Sequence, residues 1–249
     1  MRISLKKVTL ALVWGWVILL TLSLVTRYLA ITPNPIHHVR MVIAARFDHD
    51  GEASLPAWYQ GMGLFMCGVF LAAVAARTHQ RRMPGATRWA ILSCMFALCS
   101  ADEVAMLHET FGNSLSAHLG HLGFGVYSWI LGGIPLVVAL GIAFVPLILK
   151  MPRAIMITLI LAGIFYVTGA VGFEVIEAKI DALYGTMTFS LVSAVEETFE
   201  MIGIILFIRG TLAYAHEIQA FEAIVVTEGG KLLSVPRVEL HPAETRRSA

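Results

Sequence analysis

The sequence predicts an all-α fold, a polytopic bundle of six transmembrane helices with a short cytoplasmic tail. Three observations predict it. Of the 249 residues, 57% are hydrophobic and only 14% are charged, where a soluble domain carries about 25% charged residues. Apolar runs recur at the length, about 20 residues, that crosses a ~30 Å hydrocarbon core as a helix. The basic residues fall between those runs with the side-to-side asymmetry that a membrane orientation imposes.

The first span covers residues 8–30. Lys6 and Lys7 precede it in the manner of a signal peptide. The run is too long for one and lacks a small-residue cleavage site, so it is expected to stay as an uncleaved helix. A polar segment follows, with Pro33, Pro35, His37, His38, Arg40, Arg46, Asp48, His49 and Asp50; its histidines read as surface residues. The second span, 56–76, is entered through Trp58 and Tyr59, which suit a headgroup interface. A basic loop with Arg81, Arg82 and Pro84 leads to the third span, 89–109, apolar until Asp102. A polar loop with Asn113, His118 and His121 precedes the fourth, 126–149. Its Pro135 and Pro146 are tolerated where neighbours satisfy the freed carbonyls. Lys150 and Arg153 flank the turn into the fifth span, 154–177, and the sixth, 186–208, ends at Arg209. Residues 1–212 thus form the membrane domain and 213–249 the tail. Within the tail, residues 221–235 read as a β-hairpin around Gly229-Gly230, a place for a protein partner to add a strand. Cys67, Cys94 and Cys99 all fall inside apolar runs, which argues against a disulfide framework.

With the N-terminus in the cytoplasm, the inner segments hold Arg2, Lys6, Lys7, Arg77, Arg81, Arg82, Arg88, Lys150, Arg153, Arg209, Lys231, Arg237, Arg246 and Arg247. The outer side holds Arg27, Arg40, Arg46 and Lys179. That bias places both termini inside. The expected location is a membrane with both termini on its cytoplasmic side, with the lipid bilayer as partner and no nucleic acid.

Ionisable groups inside such spans are expensive and mark functional sites. The third span ends with Asp102, Glu103, His108 and Glu109; the fifth ends with Glu174 and Glu177; the sixth carries Glu196, Glu197 and Glu200. At about 1.5 Å rise per residue, Asp102 lies about 21 Å from Arg88, and Glu197 about 18 Å from Arg209. The third and sixth helices therefore carry acids at one depth. In an unbroken helix Asp102 and Glu109 share a face. Three helices then aim carboxylates into one outward-opening pocket, with His118, His121 and Glu177 at its rim. Clustered carboxylates require either protons or a cation, and carboxylates with histidine suit a divalent metal such as Zn, Mn or Fe. The Glu-x-x-His repeat of di-iron bundles is absent, as are a Ser-His-Asp pattern and a phosphate-binding glycine loop.

Two segments carry a resemblance. Asp102-Glu103-Val104-Ala105-Met106-Leu107-His108-Glu109 resembles an Asp-Glu-x4-His-Glu segment, and Glu196-Glu197-Thr198-Phe199-Glu200-Met201-Ile202-Gly203 resembles a Glu-Glu-x-x-Glu-Met-x-Gly helix. Both belong to a group of uncharacterised bacterial six-span membrane proteins. In that group an acidic Gly-containing segment and Pro-x-Trp precede the second span, as do Asp48-His49-Asp50-Gly51 and Pro56-Ala57-Trp58 here. The resemblance implies a shared site and no named activity. The alkaline ceramidase superfamily fits poorly, because its late His-x-x-x-His pair has no counterpart here. Three functions remain open: a metal-dependent enzyme on a lipid or envelope substrate, a proton- or cation-coupled transporter, and a non-catalytic assembly subunit.

Overall fold

The helix on which the others pack is α9 (Met187–Glu217), 31 residues and about 46 Å long. This computed structural model describes residues 2–32, 37–51, 53–119, 128–221, 225–228 and 231–232. The short strand β1 (Arg2–Ser4) runs straight into α1 (Leu5–Ile31), and α2 (His37–Phe47) folds back against it. Helix α3 (Leu55–Gln80) begins where sequence favours a start. Ser54 Oγ accepts the Ala57 N–H at 3.2 Å, which supplies one orphan donor of the first turn, and Pro56 sits in that turn, where its missing N–H does no harm.

Gly85, at φ +99°, opens α4 (Ala86–Ala105), which lies along α3. The contact is close because small residues line it: Ser93 Oγ donates to Gly68 O at 2.8 Å and Ser100 Oγ to Gly61 O at 2.7 Å. Such serine-to-backbone bonds are a common adhesive between membrane helices. The chain continues through α5 (Leu107–Leu119), α6 (Ile130–Ile148) and α7 (Arg153–Val167). A wide π-helical turn, Thr168–Phe173, then leads into α8 (Glu174–Ile180). Thr186 Oγ1 accepts the Phe189 N–H at 3.3 Å and so caps α9. Strand β2 (Val225–Glu228) pairs parallel with β1 and antiparallel with β3 (Lys231–Leu232). The Gly229-Gly230 turn of the expected hairpin and residues 233–235 lie outside the described residues.

Buried side chains from α1, α3 and α9 form one core around Trp16, Leu64, Met201, Ile204 and Ile208. A second core, around Leu71, Val74, Trp89, Leu159 and Ala215, joins α3, α4, α7 and α9. Helices α1 and α6 turn apolar residues outward instead, among them Trp14, Ile18, Leu136 and Ile142. Helices apolar all round belong in a bilayer. Among the described residues, four helical stretches are long and apolar enough to cross one: Leu5–Ile31, Leu55–Gln80, Ile130–Ile148 and Arg153–Ile180. The pair Ala86–Ala105 and Leu107–His118, bent by 76°, makes a fifth if it is one broken span. The structure thus supports a multi-pass helical protein with four or five candidate spans, where the sequence predicts six. The expected sixth, α9, is the helix that the others enclose. The expected straight third span is corrected to two helices meeting at Met106.

Candidate functional site

Three groups of elements meet around the N-terminal half of α9 and enclose a cavity of about 310 Å³. Glu196, Glu197 and Glu200 line it from α9, and Glu174 and Glu177 from α8. Glu103 lines it from α4, His108 and Glu109 from α5, and His49, Asp50 and Gly51 from the loop before α3. Trp129, Tyr184 and Phe189 add aromatic surface. Among the described residues, no lysine or arginine lines this chamber. Glu103, His108, Glu109, Glu174, Glu177, Glu196, Glu197 and Glu200 are therefore brought together from segments far apart in sequence. His118 is not: it sits exposed on α5 with its Nδ1 2.7 Å from the Ser114 carbonyl. His121 lies outside the described residues.

Asp102 does not line the chamber either, and the reason is local. Met106 takes φ +54°, a left-handed conformation that ends an α-helix, and its N–H closes α4 on Asp102 O at 2.9 Å. The shared face expected for Asp102 and Glu109 is lost at that break. Asp102 instead grips the start of α5. Its Oδ1 accepts the His108 N–H at 2.8 Å, and its Oδ2 lies 2.9 Å from His108 Nδ1. The imidazole also meets the Trp129 ring edge-on at a centroid distance of 5.4 Å. Asp102 thus orients a chamber residue from behind.

On α9, Glu196 and Glu200 stand one turn apart and both are buried. Gln60 Nε2 of α3 donates to Glu200 Oε2 at 2.7 Å. Glu177 of α8 lines the chamber beside Glu196. The approach of the two segments depends on Gly169 in the wide turn: a Cβ there would lie 2.5 Å from Glu200 Cγ and 3.0 Å from the Glu196 carbonyl. Single π turns inside α-helices are frequent at functional sites.

The loop before α3 contributes more than its sequence suggests. His49 is not a surface residue; it is only 2% exposed. Its Nε2 lies 2.8 Å from the Ser190 carbonyl, which can only accept, so Nε2 carries the proton. Ser23 Oγ accepts the His49 backbone N–H at 3.1 Å and sits 2.6 Å from the free Nδ1. Burial lowers the His49 pKa below its ordinary value, against the Ser190 carbonyl, which favours the charged ring. Ser193 Oγ donates to Asp50 Oδ1 at 2.9 Å. Burial still raises the Asp50 pKa, with the Ser193 bond pulling it back. Arg27 pairs with Asp48 at 3.6 Å.

Sequence reasoning missed His49, Asp50, Gln60 and the three aromatic residues. Gln60 was the legible one, a polar amide inside an apolar run. Among the described residues no three His, Cys, Asp or Glu side chains converge closely enough to hold a metal ion.

Searches of curated proteins and of solved structures found no match to the chain. A family does match, over residues 9–215, a stretch that includes every residue lining the chamber. The chain belongs to the family described as Domain of unknown function (DUF8692).

Proposed function

We propose that this protein is an integral membrane protein that binds a cation in its carboxylate and histidine chamber, which opens to the outer side of a bacterial cytoplasmic membrane. The observation that carries the reading is the lining: acids from four helices and a loop, with no lysine or arginine among the described lining residues. Carboxyl groups crowded in a low-dielectric setting are stabilised by protons or by a bound cation. The excess of Lys and Arg in the segments assigned to the cytoplasm supports the orientation. Carboxylate and imidazole donors suit Zn, Mn or Fe, and Glu177, Glu196 and His108 line the same chamber.

The use made of the bound cation divides two classes. A metal-dependent enzyme on a lipid or envelope substrate needs the metal. Coupled transport needs a binding site between discontinuous helices, and the break at Met106 together with the wide turn at Thr168–Phe173 favours it, since transporter sites are commonly built that way.

The test is cation binding by the purified full-length protein in lipid nanodiscs. Titrations with protons, Zn²⁺, Mn²⁺ and small organic cations are compared with the same titrations of Glu196→Gln and Glu200→Gln. Binding that weakens in both variants is expected. A protein that binds none of these, or binds them equally well in both variants, would sink the reading.

A further inference from the structure

We infer that α2 is seated in the interfacial layer of the bilayer, in the leaflet where α1 ends, with its open face against phospholipid. Part of a segment that reads as a polar loop in sequence thereby becomes a membrane contact, whatever the chamber binds.

The level of α2 is fixed by its contacts with α1. Near its start, Arg40 Nη1 donates to Leu29 O at 3.2 Å and to Thr32 Oγ1 at 3.4 Å. Just past its end, Asp48 pairs with Arg27 at 3.6 Å, and the His49 N–H donates to Ser23 Oγ at 3.1 Å. The chain thus leaves the end of α1 and runs back beside it to the level of Ser23, about 12 Å short of Ile31. Helix α1 is itself one of the stretches that can cross a bilayer. Counted from Lys7 at its inner end, the ~20 residues that fill a hydrocarbon core reach Arg27. The first turn of α2 therefore lies among the headgroups and its last turn at the acyl boundary.

The surface chemistry agrees. Ala44 is the buried residue of α2, on the side of α1. Val39, Met41, Val42 and Ile43 are 43–53% exposed, and Val39, Val42 and Ile43 share one face. Arg40 does not interrupt that face, because its guanidinium is turned onto the last carbonyls of α1, a favourable place for a cation. The apolar surface continues that of α1, where Val25, Tyr28, Leu29 and Ile31 also point outward. This continuity selects lipid as the occupant. Eleven residues are too few to cross a bilayer, but suit a helix that rests in its interface. Arg46, near the deeper end, reaches the headgroups along its flexible stem. Immediately after α2 come His49, Asp50 and Gly51, which line the chamber, so a lipid-seated helix carries one wall of the site.

Nitroxide labels test the depth in nanodiscs of phosphatidylcholine and phosphatidylglycerol. They are placed at Val39→Cys and Ile43→Cys in a protein carrying Cys67→Ala, Cys94→Ala and Cys99→Ala. Ile142→Cys, on the outward face of α6, is the lipid reference, and Gln80→Cys, at the end of α3, the water reference. At Ile43, oxygen is expected to relax the label more strongly than a water-soluble nickel complex does, as at Ile142. Val39 should fall between Ile43 and Gln80. Labels at both positions that behave like Gln80 overturn the inference, as do labels shielded from both reagents, which would mean that protein covers α2. If the cysteine-free protein does not stay monodisperse, benzoylphenylalanine in place of Val42 decides in the native-cysteine chain. Irradiation is expected to give a phospholipid adduct; a crosslinked dimer, or no lipid adduct, overturns the inference. Either result leaves the cation-binding reading to its own titrations.

Discussion

Asp102 holds His108 by two atoms at once, accepting its backbone N–H at Oδ1 and meeting its ring Nδ1 at Oδ2, 2.8 and 2.9 Å away. The paired contact fixes both the direction in which α5 leaves the break and the ring's orientation toward the chamber. Asp102→Asn keeps an acceptor for the backbone but offers the ring an N–H in place of an oxygen, which turns the tautomer over. Cation affinity is expected to fall about tenfold, as when a residue that orients a ligand histidine is changed. Titration of the variant beside His108→Gln checks it; an unchanged affinity in Asp102→Asn would show that the ring's orientation is immaterial.

The buried bond from Gln60 to Glu200 makes a separate claim. Gln60→Leu leaves the Glu200 carboxyl without its donor, and loss of a partner to a buried polar group costs about 1–3 kcal/mol. Thermal unfolding in detergent should show the loss. Gln60→Leu with Glu200→Leu should recover part of it, because replacing both partners by apolar groups removes the unsatisfied atom.

Gly169 sets the approach of the wide turn to α9. Gly169→Ala places a methyl group 2.5 Å from Glu200 Cγ, and overpacking of this kind costs about 1–3 kcal/mol. The variant is expected to unfold at lower temperature and bind cations more weakly. Gly163→Ala, which has open space around its Cβ position, serves as the control and should do neither.

Stability should depend on pH through the loop before α3, with opposite signs for its two titrating groups. His49 has a folded pKa below its ordinary 6.5. Between those values the unfolded chain holds the extra proton, so its contribution is complete above 6.5 and is lost as pH falls through the lowered value. Asp50 has a folded pKa above its ordinary 3.8. Its contribution is complete below 3.8 and is lost as pH rises through the raised value. His49→Gln should flatten the decline in Tm on the acid side, and Asp50→Asn the decline on rising pH. Melting curves of the three proteins from about pH 4 to about pH 8 measure both slopes.

The helical membrane character and the acids of α9 were legible because charge inside an apolar run is conspicuous against its surroundings. Glu196, Glu197 and Glu200 therefore stood out. The role of Asp102 was not legible. Residues 102–109 contain neither glycine nor proline, the usual signals of a helix end, so nothing in the sequence announces the left-handed Met106. His49 was hidden by a sound generalisation, since polar loops mostly face water. Its ring is instead held by Ser23 and the Ser190 carbonyl, 26 and 141 residues away, and contacts at such separations leave no local trace.

The wide turn at Thr168–Phe173 has one more consequence. Winding five residues to the hydrogen bond where an α-helix winds four takes up one residue. Everything beyond it is therefore turned by about 100° relative to an uninterrupted helix. The turn acts as a phase shifter: α7 keeps its packing on α9, while Glu174 and Glu177 are re-aimed as a pair. A chain that lost the shift would still be long and apolar enough to cross a bilayer there, yet would turn one acidic wall of its chamber toward lipid.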